Sequence, residues 1–299
     1  MNRLICSLDE RKISYRLNEP MKLYTTFKTG GPAKLFIIPK NNSELKEVIS
    51  LCSAKQIETF ILGKGSNLLV SDEGICDKAV VFIGANFDYI KEIDDCTFEA
   101  GAGTSVASIC KFALSKSLSG LEFAYGIPGS VGGAAFMNAG AYGGEVKDVI
   151  TFCKHIDKNG DEGIFSADEL DFSYRHSVYS DGGYVITGVV FHLEKSDKSK
   201  IEAAMLDYIK RRKDKQPLEY PSAGSVFKRP EGYFAGALIE QSGLKDKRIG
   251  GAMVSEKHAG FIINYDNATT ADVVNLINHC RQTVKEKFSV DLETEIKFV

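Results

Sequence analysis

Residues 120–144 read GLEFAYGIPGSVGGAAFMNAGAYGG and hold eight of the chain's 28 glycines. Glycine loses more backbone freedom on folding than any other residue, so this density argues against a helix or a long strand here. The segment is expected to be a loop whose bare backbone lies close against something. The rest of the chain has to be built around it.

Upstream, residues 33–38 read as a strand. Leu45, Val48, Ile49 and Cys52 then recur at helical spacing behind Asn42 and Ser43, which predicts a capped amphipathic helix over 44–55. Short β-rich runs at 60–62, 68–70, 79–83 and 97–100 follow. Val106, Ile109, Cys110, Ala113 and Leu114 mark a second helix that closes near Gly120. The order β-α-β-β-β-β-α is not a strict βαβ alternation.

Downstream, 149–156 and 162–165 flank Asn159-Gly160 and predict a hairpin. Ser166 with Glu169 forms a capping box, and 184–193 is a further strand. The polar stretch 194–200 is the expected linker. Beyond it, a helix through Ile201, Met205, Tyr208 and Arg212 ends at Gln216-Pro217, and a second covers 234–242 with Gly243 as its stop. A strand at 261–265 precedes a helix capped by Thr270. Leu292, Thr294, Ile296 and Phe298 alternate as a terminal strand, with Glu293, Glu295 and Lys297 on the other face.

Composition narrows the classes of function. With 299 residues, 43% hydrophobic and 26% charged, the chain is an ordinary globular protein with room for two domains. Lys and Arg number 37 against 40 Asp and Glu, and no basic stripe extends beyond 210–215, so nucleic acid is not expected as a partner. No apolar run approaches the roughly 20 residues of a membrane span, and the first 12 residues have no signal core; a cytoplasmic address and no membrane partner are expected. The seven cysteines contain no CxxC pair and are expected to be reduced structural thiols. The five histidines have no ligand spacing, so no metal is expected.

Two motifs could hold a phosphate. Gly63-Lys64-Gly65-Ser66-Asn67 falls between two predicted strands, where it is either a tight turn or an anion-binding loop. It is neither a Rossmann nor a Walker fingerprint. Gly126-Ile127-Pro128-Gly129-Ser130-Val131-Gly132-Gly133 is the stronger signal, because a proline stiffens it and Ser130 can donate to a phosphate oxygen. Two such loops suit a long diphosphate ligand such as FAD better than a mononucleotide. Arg175 and Ser225, taken alone, read equally as a surface arginine and a loop serine. Periodicity puts Glu295 on a solvated face. No Gly-x-Ser-x-Gly elbow is present.

Together, Thr25-Thr26-Phe27-Lys28-Thr29-Gly30-Gly31-Pro32-Ala33, GKGSN, YGIPGSVGGAA, NAGAYGGE, SYRHS, AGSVFKRP and LETEIKFV, in this order, resemble the UDP-N-acetylenolpyruvoylglucosamine reductase (MurB) family from about residue 20 to the end. The resemblance implies an α+β fold: a flavin-binding module of the vanillyl-alcohol-oxidase (PCMH) type, with two subdomains over 20–195, after an N-terminal segment 1–19. A C-terminal α+β substrate-binding domain over 196–299 follows. It implies non-covalent FAD held by both loops together with Asn138 and Gly140, NADPH as reductant, and reduction of an enolpyruvyl sugar nucleotide to its lactyl ether in peptidoglycan precursor synthesis. Arg175, Ser225 and Glu295 match the family's catalytic positions. Lys215 is the counterpart of a lysine near the serine, through a shared Lys-x-Pro, and Arg229 stands where some relatives have asparagine; with Arg175 these two are expected to bind substrate. The 50 residues from Arg175 to Ser225 leave no room for an inserted tyrosine loop, which makes this the short-loop subtype and leaves the UDP clamp unassigned. A monomer is expected by analogy. The alternatives are another flavin enzyme of the same fold and a non-catalytic nucleotide-binding module.

Overall fold

A computed structural model describes residues 1–299, which divide into two compact units. The first comprises 1–17, 35–64 and 77–211; the second comprises 18–34, 65–76 and 212–299. This division differs from the expected boundaries. Residues 1–17 pack into the first unit instead of standing apart, and 18–34 and 65–76 pack with the C-terminal unit.

In the first unit, strands Pro32–Ile38, Ala79–Phe82 and Thr59–Leu62 pair in parallel, with Ser14–Pro20 completing the sheet. Helix Asn42–Ala54 buries the four apolar residues its spacing marked. Its cap is Asn41, one residue earlier than expected, whose side chain accepts from the Glu44 N–H at 3.0 Å. Helix Asn2–Glu10 went unforeseen: Leu4 and Leu8, one turn apart, are fully buried amid charged neighbours.

A five-stranded antiparallel sheet forms the other half of this unit, in the order Glu162–Ser166, Ile150–Asp157, Tyr184–His192, Thr97–Gly101, Ile90–Glu92. The hairpin expected around Asn159-Gly160 is its first pair. The expected linker at 194–200 is instead structured. Glu194–Lys195 pairs with Leu118–Ser119, and helix Lys198–Lys215 begins three residues later, burying Ile201 and Met205.

The glycine-rich run also departs from expectation, because Val131–Phe136 is a short helix. Low propensity is overridden there by tertiary bonds: the N–H groups of Val131 and Gly132 donate to Thr104 O and Ala102 O.

In the second unit, helix Thr270–Phe288 packs on the three-stranded antiparallel sheet of Arg248–Ile249, Ala252–Val254 and Ile262–Asn264. Its cap is Thr269, not Thr270. Only Lys297–Phe298 of the expected terminal strand pairs regularly, in parallel with Leu68–Leu69. Leu292 and Ile296 are buried as alternation requires, whereas Phe298 is exposed. No helix is long and apolar enough to cross a membrane.

Candidate active site

Within the first unit, Gly63 of the first glycine loop comes close to Ser130 of the second. A Cβ on Gly63 would fall 2.6 Å from Ser130 Oγ, so only glycine lets these segments approach so closely. The second loop leads into the short helix with Ser130 as N-cap. Ser130 is buried, and its Oγ accepts from the Gly133 N–H at 3.3 Å. A hydroxyl has two acceptor sites and one donor, so this bond does not consume its proton.

Gly65, Ser66 and Asn67 belong to the second unit. The main-chain oxygen of Gly65 accepts from the Thr26 N–H, and the buried hydroxyl oxygens of Thr26 and Thr29 have no hydrogen-bond partner. Both lie in the TTFKTG block, to which the sequence reading gave no role. Orphaned buried hydroxyls are uncommon in folded proteins and mark a place for a polar ligand. Asn67 is tied to the C-terminal segment: its side-chain amide donates to Glu295 O at 3.2 Å, and its own main-chain oxygen accepts from the Lys297 N–H. Within the first unit, the close-approach glycine Gly63 and the Ser130 hydroxyl fit a phosphate of FAD.

In the second unit Glu295 lies opposite Val226, the residue that follows Ser225. The Glu295 N–H donates to Val226 O at 2.8 Å, Phe227 bridges Thr294, and the Lys228 N–H donates to Glu293 O. Ser225 is held on its other side by a bridge to Phe261. Glu295 is half-buried, whereas Glu293 and Lys297 are exposed, so the three do not share one environment as simple alternation suggests. Glu293 pairs with Lys228 at 3.2 Å.

Arg175 lies in the first unit, at the tip of a turn, with φ of +57°. Its Nη1 and Nη2 donate to Asn138 O at 3.4 Å and Gly140 O at 3.2 Å. Lys215 is exposed at the end of its helix, and Arg229 is exposed with its guanidinium carbon 4.0 Å from the centre of the Phe234 ring.

All seven cysteines are free thiols. Burial pushes Cys52, Cys110, Cys153 and Cys280 up to about 12, which keeps them protonated and poor nucleophiles.

Residues 216–299 match the family described as UDP-N-acetylenolpyruvoylglucosamine reductase, C-terminal domain, and 33–162 match an FAD binding domain. The UDP-N-acetylenolpyruvoylglucosamine reductase of Clostridium botulinum (strain 657 / Type Ba4) is 50% identical over 283 residues, 95% of this chain and 92% of that protein. The protein of the same name from Clostridium novyi (strain NT) is 49% identical over 292 residues, 98% and 94% of the two chains. The crystal structure of UDP-N-acetylenolpyruvylglucosamine reductase (MurB) from Thermus caldophilus superposes with a TM-score of 0.81 at 35% identity, covering 96% of this chain and 98% of that one. The α+β fold with an FAD-binding domain, expected from the sequence, stands with these matches.

Proposed function

The chain belongs to the UDP-N-acetylenolpyruvoylglucosamine reductase family, and from that premise we propose that it reduces UDP-N-acetylenolpyruvoylglucosamine to UDP-N-acetylmuramate, with non-covalent FAD as cofactor and NADPH as reductant. The observation that carries the reading is the main-chain ladder that runs the segment of Ser225 alongside the segment of Glu295. A bare nucleotide-binding module has no use for it.

FAD, when bound, supplies hydride transfer between NADPH and the enolpyruvyl double bond. Gly63, Lys64, Gly65, Ser66 and Asn67, with Gly126, Ile127, Pro128, Gly129, Ser130, Gly132 and Gly133, would hold it, the glycines by letting it approach the backbone and Ser66 and Ser130 by their hydroxyls. We assign flavin binding to 20–195 and substrate binding to 196–299, although 18–34 and 65–76 are built into the compact unit of 212–299 and 196–211 into the other.

Arg175 presents its planar fork of N–H donors to the enolpyruvyl carboxylate. Negative charge grows there when a hydride arrives at the terminal carbon, so the arginine stabilises the transition state more than the ground state. Ser225 then gives its hydroxyl proton to the carbon bearing the carboxylate, which completes the addition of two hydrogens. A serine is a weak acid, so this step needs a strongly basic carbon and a nearby cation for the alkoxide left behind; Lys215 is assigned that part. A bare carboxylate would repel the developing charge, so Glu295 acts either protonated or hydrogen-bonded to a cation or water that it orients. Arg229 is assigned to the nucleotide. The protein works as a monomer in the cytoplasm, on small molecules alone.

Incubation with NADPH and the enolpyruvyl sugar nucleotide tests this. The expected product is heavier by two hydrogens in the mass spectrum, formed mole for mole with NADP⁺. NADPH oxidation that leaves the sugar nucleotide unchanged and consumes O₂ would make the protein an oxidase.

A further inference from the structure

We propose that Asn138 and Ser177 are positioning residues for Arg175, fastening the two ends of the turn that carries it, and that Asn138 and Gly140 serve this arginine rather than the flavin. The proposal rests on the assignment of Arg175 to the substrate carboxylate.

Tyr174 and Arg175 form the tip of a two-residue turn, closed by reciprocal main-chain bonds between Ser173 and His176 at 3.2 and 3.3 Å. The left-handed φ of Arg175 is a conformation that a non-glycine residue keeps only where its surroundings over-determine it. They do so from both sides. On the entering side, Asn138 Nδ2 donates to Ser173 O at 2.9 Å; on the leaving side, Ser177 Oγ donates to Phe136 O at 2.6 Å. Both anchors are fully buried.

The rest of the Asn138 side chain is engaged inside the protein as well. Oδ1 accepts from the Lys147 N–H at 3.2 Å, and Nδ2 also reaches Glu145 Oε2 at 3.3 Å. Its two amide hydrogens are thus directed at protein acceptors and away from any flavin phosphate. The same short stretch then aims the guanidinium, through the bonds from Arg175 to the main-chain oxygens of Asn138 and Gly140. A Cβ at Gly140 would fall 2.8 Å from Gly144 O, so a side chain there would displace the backbone whose oxygen seats the arginine. One segment therefore holds the turn by a side chain and the guanidinium by its backbone. A forked donor is useful only if it is aimed, and a displacement of about 1 Å costs on the order of 10²-fold in rate.

The test is a double-substitution cycle on the flavin-loaded protein. Flavin content is read from the visible spectrum, and the reoxidation of NADPH-reduced protein by the enolpyruvyl substrate is followed anaerobically. Asn138→Ala should keep its flavin and its rate of reduction by NADPH, while reoxidation slows by about 10²-fold. In an Arg175→Ala background the same substitution should slow reoxidation little further, because nothing remains to be aimed. Ser177→Ala, which deletes one hydrogen bond, should show the same pattern more mildly and serves if Asn138→Ala fails to fold. Loss of flavin from folded Asn138→Ala, or slowing that multiplies fully in the double variant, would overturn the proposal. So would normal reoxidation in Asn138→Ala and Ser177→Ala beside a crippled Arg175→Ala. Normal reoxidation in Arg175→Ala would instead remove the role assigned to the arginine, and the proposal with it.

Discussion

Arg175 and the Ser225–Glu295 pair are held in different ways. The arginine turn is fastened by side chains reaching main-chain oxygens, from Asn138 to Ser173 O and from Ser177 to Phe136 O. The segments of Ser225 and Glu295 are fixed mostly by main chain, through the Val226 N–H to Gly260 O, the Ser225–Phe261 bridge and the Glu295 N–H to Val226 O, with the Asn67 amide to Glu295 O as the one side-chain bond described. Placement by side chains is vulnerable to single substitutions at a distance from the reacting groups. Placement by main chain is vulnerable only at the reacting residues themselves.

The largest expected effect is at Ser225. Ser225→Ala should still be reduced by NADPH, whereas reoxidation by the enolpyruvyl substrate slows by about 10²- to 10⁴-fold, the range for a lost general acid. Equal slowing of both half-reactions in stopped flow would make Ser225 a structural residue.

Glu295→Gln should fold, bind FAD and accept reducing equivalents, yet lose most turnover. Its internal control is Glu293→Gln: that exposed carboxylate pairs only with exposed Lys228 in the ion pair described, and such pairs contribute little. A silent Glu295→Gln, or a damaging Glu293→Gln, would exchange the two roles.

Gly133→Leu separates ligand space from protein space. Gly133 is exposed, its φ is not positive, and a Cβ there meets only Ser130 Oγ, at an ordinary 3.4 Å. The variant should fold with an unchanged melting temperature but purify with less flavin, as measured by the ratio of visible to ultraviolet absorbance. Full flavin content would move the cofactor away from this loop.

The contrast between the regions is sharpest at Thr294, which bridges Phe227 through its main chain. Thr294→Val should change reoxidation by no more than about twofold, the kinetic equivalent of the ±0.5 kcal/mol usual for such substitutions. A loss as large as that from Ser177→Ala would erase the distinction.

The smallest effect is on stability. Burial lowers the pKa of His258, whose Nδ1 accepts from the Gly260 N–H at 3.1 Å and so must be unprotonated. As pH falls below the ordinary histidine value of about 6.5, the unfolded chain takes up a proton before the folded one does. Calorimetry should therefore show the melting temperature falling in that window, and falling less in His258→Gln.

What the sequence made legible was local. The hairpin around Asn159-Gly160, the Ser166/Glu169 capping box and the helix of Leu45, Val48, Ile49 and Cys52 rest on residues a few positions apart, and each formed. The helix inside the glycine run was hidden because the carbonyls that support it, at Ala102 and Thr104, are some 30 residues upstream. The family resemblance implied a flavin role for Asn138, and its bond to the arginine turn was not legible. Its partner Ser173 is 35 residues away, and nothing in the spacing joins them. Ser225 and Glu295 are 70 residues apart, and only their ladder reveals that they are neighbours. The half-burial of Glu295 follows from that ladder, where strand alternation alone expected solvent.

The account's central claim is tested most directly by the visible spectrum of the purified protein under strict anaerobiosis, with NADPH and then the enolpyruvyl sugar nucleotide added in turn. The account expects a yellow protein that bleaches with one equivalent of NADPH and regains its full colour with one equivalent of the sugar nucleotide in the absence of O₂. A protein that is colourless after reconstitution with FAD, or one that bleaches and recovers its colour only when air is admitted, would contradict it.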